Sequence, residues 1–333
     1  MRETTKQWHL WGWLFLLVLV IMGMVLFLNR EWVGDFYRGV TYQPSSEMVR
    51  IRGDLELTEK GEFLFNAAQP ELNGRAEFNE YCLTKDNETA VLGCYTGGNI
   101  YVYDIADKQL AGIRELTTAH ELLHAVWARM SEDEKTALVE PLTQTFEANR
   151  VALGEEIDNY ETSQKQEELY VRAGTEVKVL PDVLEKHYAE IFKNQDKIVG
   201  YYDSYISVFK ALEAEMKNLQ AEMETMNAEI TAKLTEYEQR LGRLNNDIAE
   251  FNKCAEEIGC FVSEYDFYSK RAVLVTEQEA LNVMYDGINE LVETYNSKVE
   301  IYNTDVLKSE KLNTIINSAV QPQKIEGEKN GQQ

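Results

Sequence analysis

The stretch Thr117-Thr118-Ala119-His120-Glu121-Leu122-Leu123-His124-Ala125-Val126-Trp127 holds the residue types that most directly imply chemistry. Two histidines four positions apart lie on one face of an α-helix, so His120 and His124 can present imidazole nitrogens to a single cation. Glu121, one position on, falls beside such a cation, where it can take a proton from a bound water without entering the coordination sphere. A tetrahedral zinc with three protein ligands keeps its fourth position for that water. The competing account makes the two histidines and the glutamate ordinary parts of a core. It must then find partners for three polar side chains wrapped by Ala119, Leu122, Leu123, Ala125, Val126 and Trp127, which is costly. The chain has only four histidines, and two of them are in this motif.

The elements that position the motif follow from pattern. Asn99 to Asp104 alternates β-rich residues after Thr96-Gly97-Gly98, which reads as a strand after a turn. Ile113 to Met130 reads as the helix that carries the motif, and Val139 to Asp158 as a second, broken helix. Gln164 to Ala173 is expected to be a short helix stopped by Gly174, and Pro181 to open another that reaches Phe192.

A strand, a buried H-E-x-x-H helix and a downstream acidic helix together resemble a zincin metallopeptidase domain, over roughly residues 75 to 195. The metzincin pattern is not met, because Trp127 and Met130 stand where that group has Gly and a third His. The remaining similarity is to the gluzincin group, in which a Glu from a later helix completes the metal site. That resemblance implies an α+β fold, Zn2+ as cofactor and a peptide or protein as substrate. It implies peptide-bond hydrolysis with Glu121 as general base and then acid. The third ligand is expected to be Glu168, which precedes Leu169 and can share the inward side of its helix; Glu167 and Glu176 are the alternatives. A tetrahedral intermediate also needs a donor for its oxyanion. Tyr170 and His187 are the catalytic candidates for that role, with Arg172 and Tyr188 beside them.

Composition sets the frame around this site. The 333 residues carry 57 acidic and 33 basic side chains, a formal net charge of −24. Nucleic-acid partners need a basic footprint that such a chain lacks, and anionic lipid headgroups would repel it. Leu10 to Leu28 is an uncharged run of nineteen residues, about 28 Å of helix against a hydrocarbon core of about 30 Å. Trp8, Trp11 and Trp13 stand at one end of it and Trp32 at the other, as interfacial aromatics do. The run exits into Asn29-Arg30-Glu31-Trp32 without a small-residue cleavage site, so an uncleaved single-pass anchor is expected rather than a signal peptide. Arg2 and Lys6 before the span, against Arg30 and Arg38 after it, incline the N-terminus toward the cytoplasm.

All four cysteines follow the span as two local pairs, Cys82 with Cys94 and Cys254 with Cys260. Of the three connectivities open to four cysteines, local pairing fits short disulfide-closed loops in an oxidising, extracytoplasmic compartment; four reduced thiols in a cytosolic domain are the alternative. Asn87-Glu88-Thr89 is a glycosylation sequon, meaningful only in a source that glycosylates.

From about Tyr201 the chain becomes periodic. Apolar positions recur in alternating steps of four and three from Tyr205 to Phe251, with one stutter around Ile230, and again in two seven-residue series after Cys260. Two long arms and a short turn predict an antiparallel coiled-coil hairpin with Cys254–Cys260 pinning its tip; an intermolecular coiled coil is the rival. Asn282, Asn289, Asn296 and Asn303 repeat every seven residues beside the seam, as either a register-fixing ladder or a tolerated polar flank. The expected organisation is an anchor (1–30), a zincin-like domain (31–198), a hairpin (199–320) for docking a substrate or protein partner, and a disordered polar tail (321–333). The second functional class is a non-catalytic cell-envelope scaffold with a structural or vestigial metal site. Glu121 speaks against it, since a structural zinc site gains nothing from that carboxylate and is usually closed by four protein ligands.

Overall fold

The computed structural model describes the backbone of residues 3–82, 91–154, 157–158 and 161–318, and the side chains of those from 13 onward except Leu14 and Ala152. The sequon at Asn87 and the polar tail lie outside the described residues. The chain is mostly helical, with a small three-stranded sheet. It divides into two compact units, residues 1–208 with 313–333, and residues 209–312.

The first unit opens with α1 (Glu3–Leu28), in which every large apolar side chain described from Phe15 to Leu28 is exposed. Among the described residues no single helix is long and apolar enough to cross a membrane. Phe15–Leu28 and the following α2 (Arg30–Thr41), bent by 76°, meet the requirement of length and composition together. α3 (Ser46–Asp54) and α4 (Glu59–Ala68) begin at side-chain caps, Ser45 accepting from the Met48 N–H and Thr58 from the Gly61 N–H. Their apolar faces, with Met48, Ile51, Leu64 and Phe65, enter the core.

The sheet has the order β1-β3-β2. β3 (Asn99–Tyr103) is central, parallel to β1 (Glu71–Asn73) and antiparallel to β2 (Gly93–Thr96), with Leu72 opposite Val102 and Cys94 opposite Tyr101. Both faces of β3 are covered. Ile100 and Val102 belong to the main core, while Tyr101 and Tyr103 stack on Tyr81 and Phe78 of α5 (Arg75–Cys82). The Cys82–Cys94 disulfide, with its Cα atoms 5.7 Å apart, ties α5 to the edge strand β2.

Among the described residues four further helices of this unit follow: α6 (Ile113–Trp127), α7 (Glu132–Leu153), α8 (Thr162–Glu176) and α9 (Asp182–Tyr188). α7 begins earlier than its apolar pattern suggests, because Ser131 and Glu134 form a reciprocal capping box there. The expected break appears as non-helical dihedrals at Asn149. α8 does not stop at Gly174 but continues to Glu176. The glycine is there for packing: a Cβ on it would stand 2.5 Å from Leu123 Cδ1 and 2.6 Å from Tyr188 Cε1. Gly174 therefore marks where α8 crosses α6 at close range, which a sequence reads equally well as a helix stop.

The second unit consists of most of α10 (Gln195–Glu256) and α11 (Glu264–Ile316). Arg240 pairs with both oxygens of Glu277, Tyr237 meets Tyr285, and Lys298 bonds Glu222, so rising numbers on one helix meet falling numbers on the other. The helices are antiparallel arms of one chain, with Leu219, Ile230, Leu244, Leu281 and Ile288 buried in the seam. Cys254 and Cys260 are bonded at the tip, Cα atoms 5.4 Å apart, beside the rings of Phe251, Phe261 and Phe267. The four repeating asparagines are exposed, which fits a polar flank. The unit begins at 209 rather than 199, because the first turns of α10 pack with the first unit.

Candidate metal centre

α6 is amphipathic in an unusual way. Ala119, Leu122, Leu123, Ala125 and Val126 pack into the core, while His120, Glu121 and His124 face a cavity of about 840 Å³. The opposite wall is α8, which supplies Gln164, Glu167, Glu168, Arg172 and Glu176; Gly93, Cys94 and Tyr95 of β2 form a side. One nitrogen each from His120 and His124 and one oxygen from Glu168 lie within 4.8 Å of one another, close enough to share a metal ion.

Two of the three ligand candidates, His124 and Glu168, are held from behind. His124 Nε2 is 3.7 Å from Glu168 Oε2, while Nδ1 of the same ring is 2.7 Å from Glu167 Oε1. With Nδ1 protonated, the ring donates to Glu167 and leaves the Nε2 lone pair directed toward Glu168. Glu168 is anchored in the same manner: Arg172 Nε donates to its Oε1 at 2.7 Å, and Arg172 Nη1 donates to the Leu153 carbonyl at 2.6 Å. The second oxygen, Oε2, is the one turned toward His124.

The electrostatics suit a cation. Burial pushes His120 down to about 4, so its imidazole is neutral and able to ligate. Burial alone would raise Glu168, but its coupling to the His120 ring and the hydrogen bond and charge of Arg172 hold it below the ordinary carboxylate value. For His124 burial acts downward and is outweighed by the Glu167 hydrogen bond and the neighbouring carboxylates, so its pKa is raised. Two nitrogens and one carboxylate oxygen are a donor set that zinc accepts, with a coordination position left over.

Glu121 is 6% exposed, and burial pushes it up to about 7, with the Tyr95 backbone N–H donating to it in the opposite sense. That value is suited to a group that accepts and returns a proton near neutrality. β2 passes so close that only glycine fits at position 93: a Cβ there would lie 2.6 Å from Thr117 Cγ2 and 2.8 Å from Glu121 Oε1.

The other expected site residues are placed differently. Tyr170 and His187 are brought together, Tyr170 OH and His187 Nε2 being 2.9 Å apart, but neither lines the cavity. Tyr170 is fully buried and packs on Trp127 and Tyr188. Two positions along a helix is a turn of about 200°, so a residue two after an inward Glu168 faces away from it. Tyr188 donates to the Tyr170 carbonyl within the same cluster, and Arg172 is committed to Glu168. Glu176 lines the cavity without joining the ligand trio.

Among the lining residues that escaped the sequence are Tyr202, Tyr205 and Ile206, from the first turns of α10. Their spacing merges with the coiled-coil repeat, so periodicity hides them. The only cue was composition, a Tyr-Tyr-Asp-Ser-Tyr run preceding a seam of Leu, Met and Ile. Burial, helped by Glu176, pushes Tyr202 up to about 12, so this lining residue remains neutral. No protein-family model, curated protein or solved structure matches this chain.

Proposed function

We propose that this chain is a membrane-anchored, extracytoplasmic zinc peptidase of the zincin type, with His120, His124 and Glu168 as ligands and Glu121 as the proton carrier. The observation that carries the reading is the double hold on the ligand set: Glu167 behind His124 and Arg172 behind Glu168, with Glu121 in the same cavity. A structural role for the histidines would not call for an ionised carboxylate turned toward them and a second carboxylate poised near 7. Zinc bound there would supply a Lewis acid and a water acidic enough to give up a proton near neutral pH.

The chain's own residues supply the rest. β2 is the edge strand of the sheet and runs along the cavity, so an extended peptide can add to it through main-chain hydrogen bonds. Glu121 accepts the proton of the attacking water and returns it to the leaving amine. Tyr202 and Tyr205 are hydroxyl-bearing lining residues that replace Tyr170 and His187 as candidates for the oxyanion. The extracytoplasmic location rests on the two disulfides and the apolar N-terminal helix. The hairpin would serve docking, with Ile258, Val262 and Tyr265 exposed at its tip.

The test is metal content and cleavage of casein by the purified chain. One equivalent of zinc is expected, lost in His120→Ala and Glu168→Ala. Glu121→Gln should keep the metal and lose about 10²- to 10⁴-fold in cleavage rate. A chain without stoichiometric zinc sinks the proposal, whatever its activity.

A further inference from the structure

In a helix on the surface of a water-soluble protein, the apolar face points inward and the polar face outward. α2 is built the other way round. Its inward face is polar: Asp35 accepts two hydrogen bonds from Arg129, at 2.8 and 2.9 Å, and Arg38 donates to the carbonyls of Ala67 and Gly98 at 2.7 and 2.8 Å. Its outward face is apolar and aromatic, with Trp32 59%, Phe36 52%, Tyr37 70% and Val40 70% exposed. Trp32 and Phe36 are stacked, ring centroids 5.6 Å apart, as one continuous patch.

We propose that α2 is an interfacial membrane helix, its Trp32–Phe36–Tyr37–Val40 face seated at the headgroup–acyl boundary of the bilayer that α1 enters, while Asp35 and Arg38 fasten the metal-site domain to its other side. The inference rests on α1 lying in a bilayer and does not depend on the peptidase reading. Three observations select lipid as the occupant. The patch is continuous in sequence with α1, whose large apolar side chains described from Phe15 to Leu28 are uncovered by protein. The 76° bend between the helices turns α2 nearly along the plane of a membrane that α1 enters along its normal. Trp and Tyr are the side chains favoured at that depth. α2 does not itself serve as the second half of a span, since Asp35 and Arg38 are bonded to the folded domain and would have to enter hydrocarbon with it. With a net charge of −24, attachment comes from apolar insertion and not from attraction to anionic headgroups.

The connection inward is short. Arg129, held by Asp35, also donates to the Tyr95 hydroxyl at 2.9 Å, and Tyr95 lines the metal cavity with Glu121. The face against the lipid and the metal cavity are thus joined by a few hydrogen bonds between rigid elements, which fixes the orientation of the cavity on the membrane.

The experiment uses the full chain in phosphatidylcholine vesicles containing lipids brominated either high on the acyl chains or near their ends. The emission of Trp32 is obtained as wild type minus Trp32→Phe. The expected result is a greater loss of that emission with shallow bromines than with deep ones, as for a side chain about 5–10 Å inside the boundary. No loss with either lipid places the face against water or a second copy of the chain, and overturns the proposal. A greater loss with deep bromines makes α2 part of a span and overturns it too. The residual emission of Trp32→Phe reads the tryptophans of α1 together with Trp127, which is buried in the protein core out of reach of the lipid; if bromine leaves the whole of that residual unquenched, the bilayer reading of α1 falls along with the proposal.

Discussion

Glu167 Oε1 lies 2.7 Å from His124 Nδ1, on the side of the ring away from Glu168. Two adjacent carboxylates on one helix therefore divide the two nitrogens of one histidine between them: Glu168 joins the His120–His124 trio near Nε2, and Glu167 contacts Nδ1 from behind. In sequence they were rivals for a single role.

Glu167→Gln follows from that division. The amide can still occupy the space but no longer accepts from a protonated Nδ1 with a full charge, so zinc affinity should fall about 10- to 100-fold while the fold persists. Competition against a chelator of known affinity measures it. Wild-type affinity in this variant would show that the Glu167 contact is incidental.

Gly93→Ala tests the approach of β2 to the base. The new methyl group would stand 2.7 Å from Glu121 Cγ, so the flexible carboxylate side chain must move. Zinc content should be unchanged, and cleavage should drop about 10²-fold for a displacement on the order of 1 Å. Full activity in a folded, zinc-loaded Gly93→Ala chain would mean the carboxylate has room it does not use.

Gly174→Ala probes the crossing of α6 and α8. Leu123 and Tyr188 are fully buried and have nowhere to retreat, so the extra methyl should cost about 1–3 kcal/mol. Chemical denaturation of the full chain in detergent reads it. A stability equal to wild type would contradict the close approach, and with it the spacing that sets Glu168 opposite the histidines.

His187 provides a pH dependence away from the metal. Burial holds its pKa below the ordinary 6.5, with Glu190 and Glu134 pulling upward and Lys60 downward. The unfolded chain then binds more protons than the folded one as pH falls below 6.5, so this group's contribution to stability is present at neutral pH and lost progressively down to the lowered folded value. The stability difference between wild type and His187→Asn should shrink as pH falls through that window. A difference that is flat or grows toward acid would reverse the sign of the shift.

Several features were legible in the chain because they depend on neighbours along it. The H-E-x-x-H helix, the strand at Asn99, the local disulfides and the two heptad arms all follow from spacing of two, three to four, or seven residues. The placement of Glu168 on the inner side of its helix, near His120 and His124, was legible too, since it is adjacent to an apolar helix position. The helices between Arg30 and Cys82 were not, because each is short and its apolar stripe is defined by what packs on it.

Local pattern thus determined the long helices and which two histidines share a face. Tertiary structure decided everything that depends on a second element approaching. Tyr170 turned from the cavity because α9 and Trp127 offered it a dry pocket. Tyr202 and Tyr205 entered the cavity because the hairpin's first helix begins inside the first unit. Gly174 became a crossing point instead of a stop, and α2 turned its polar side inward because Arg129 and the Gly98 carbonyl were there to receive it. The physical reason is common to all four. A side chain's direction along a helix is set by the chain, but whether that direction meets core, cavity or lipid is set by residues distant in sequence.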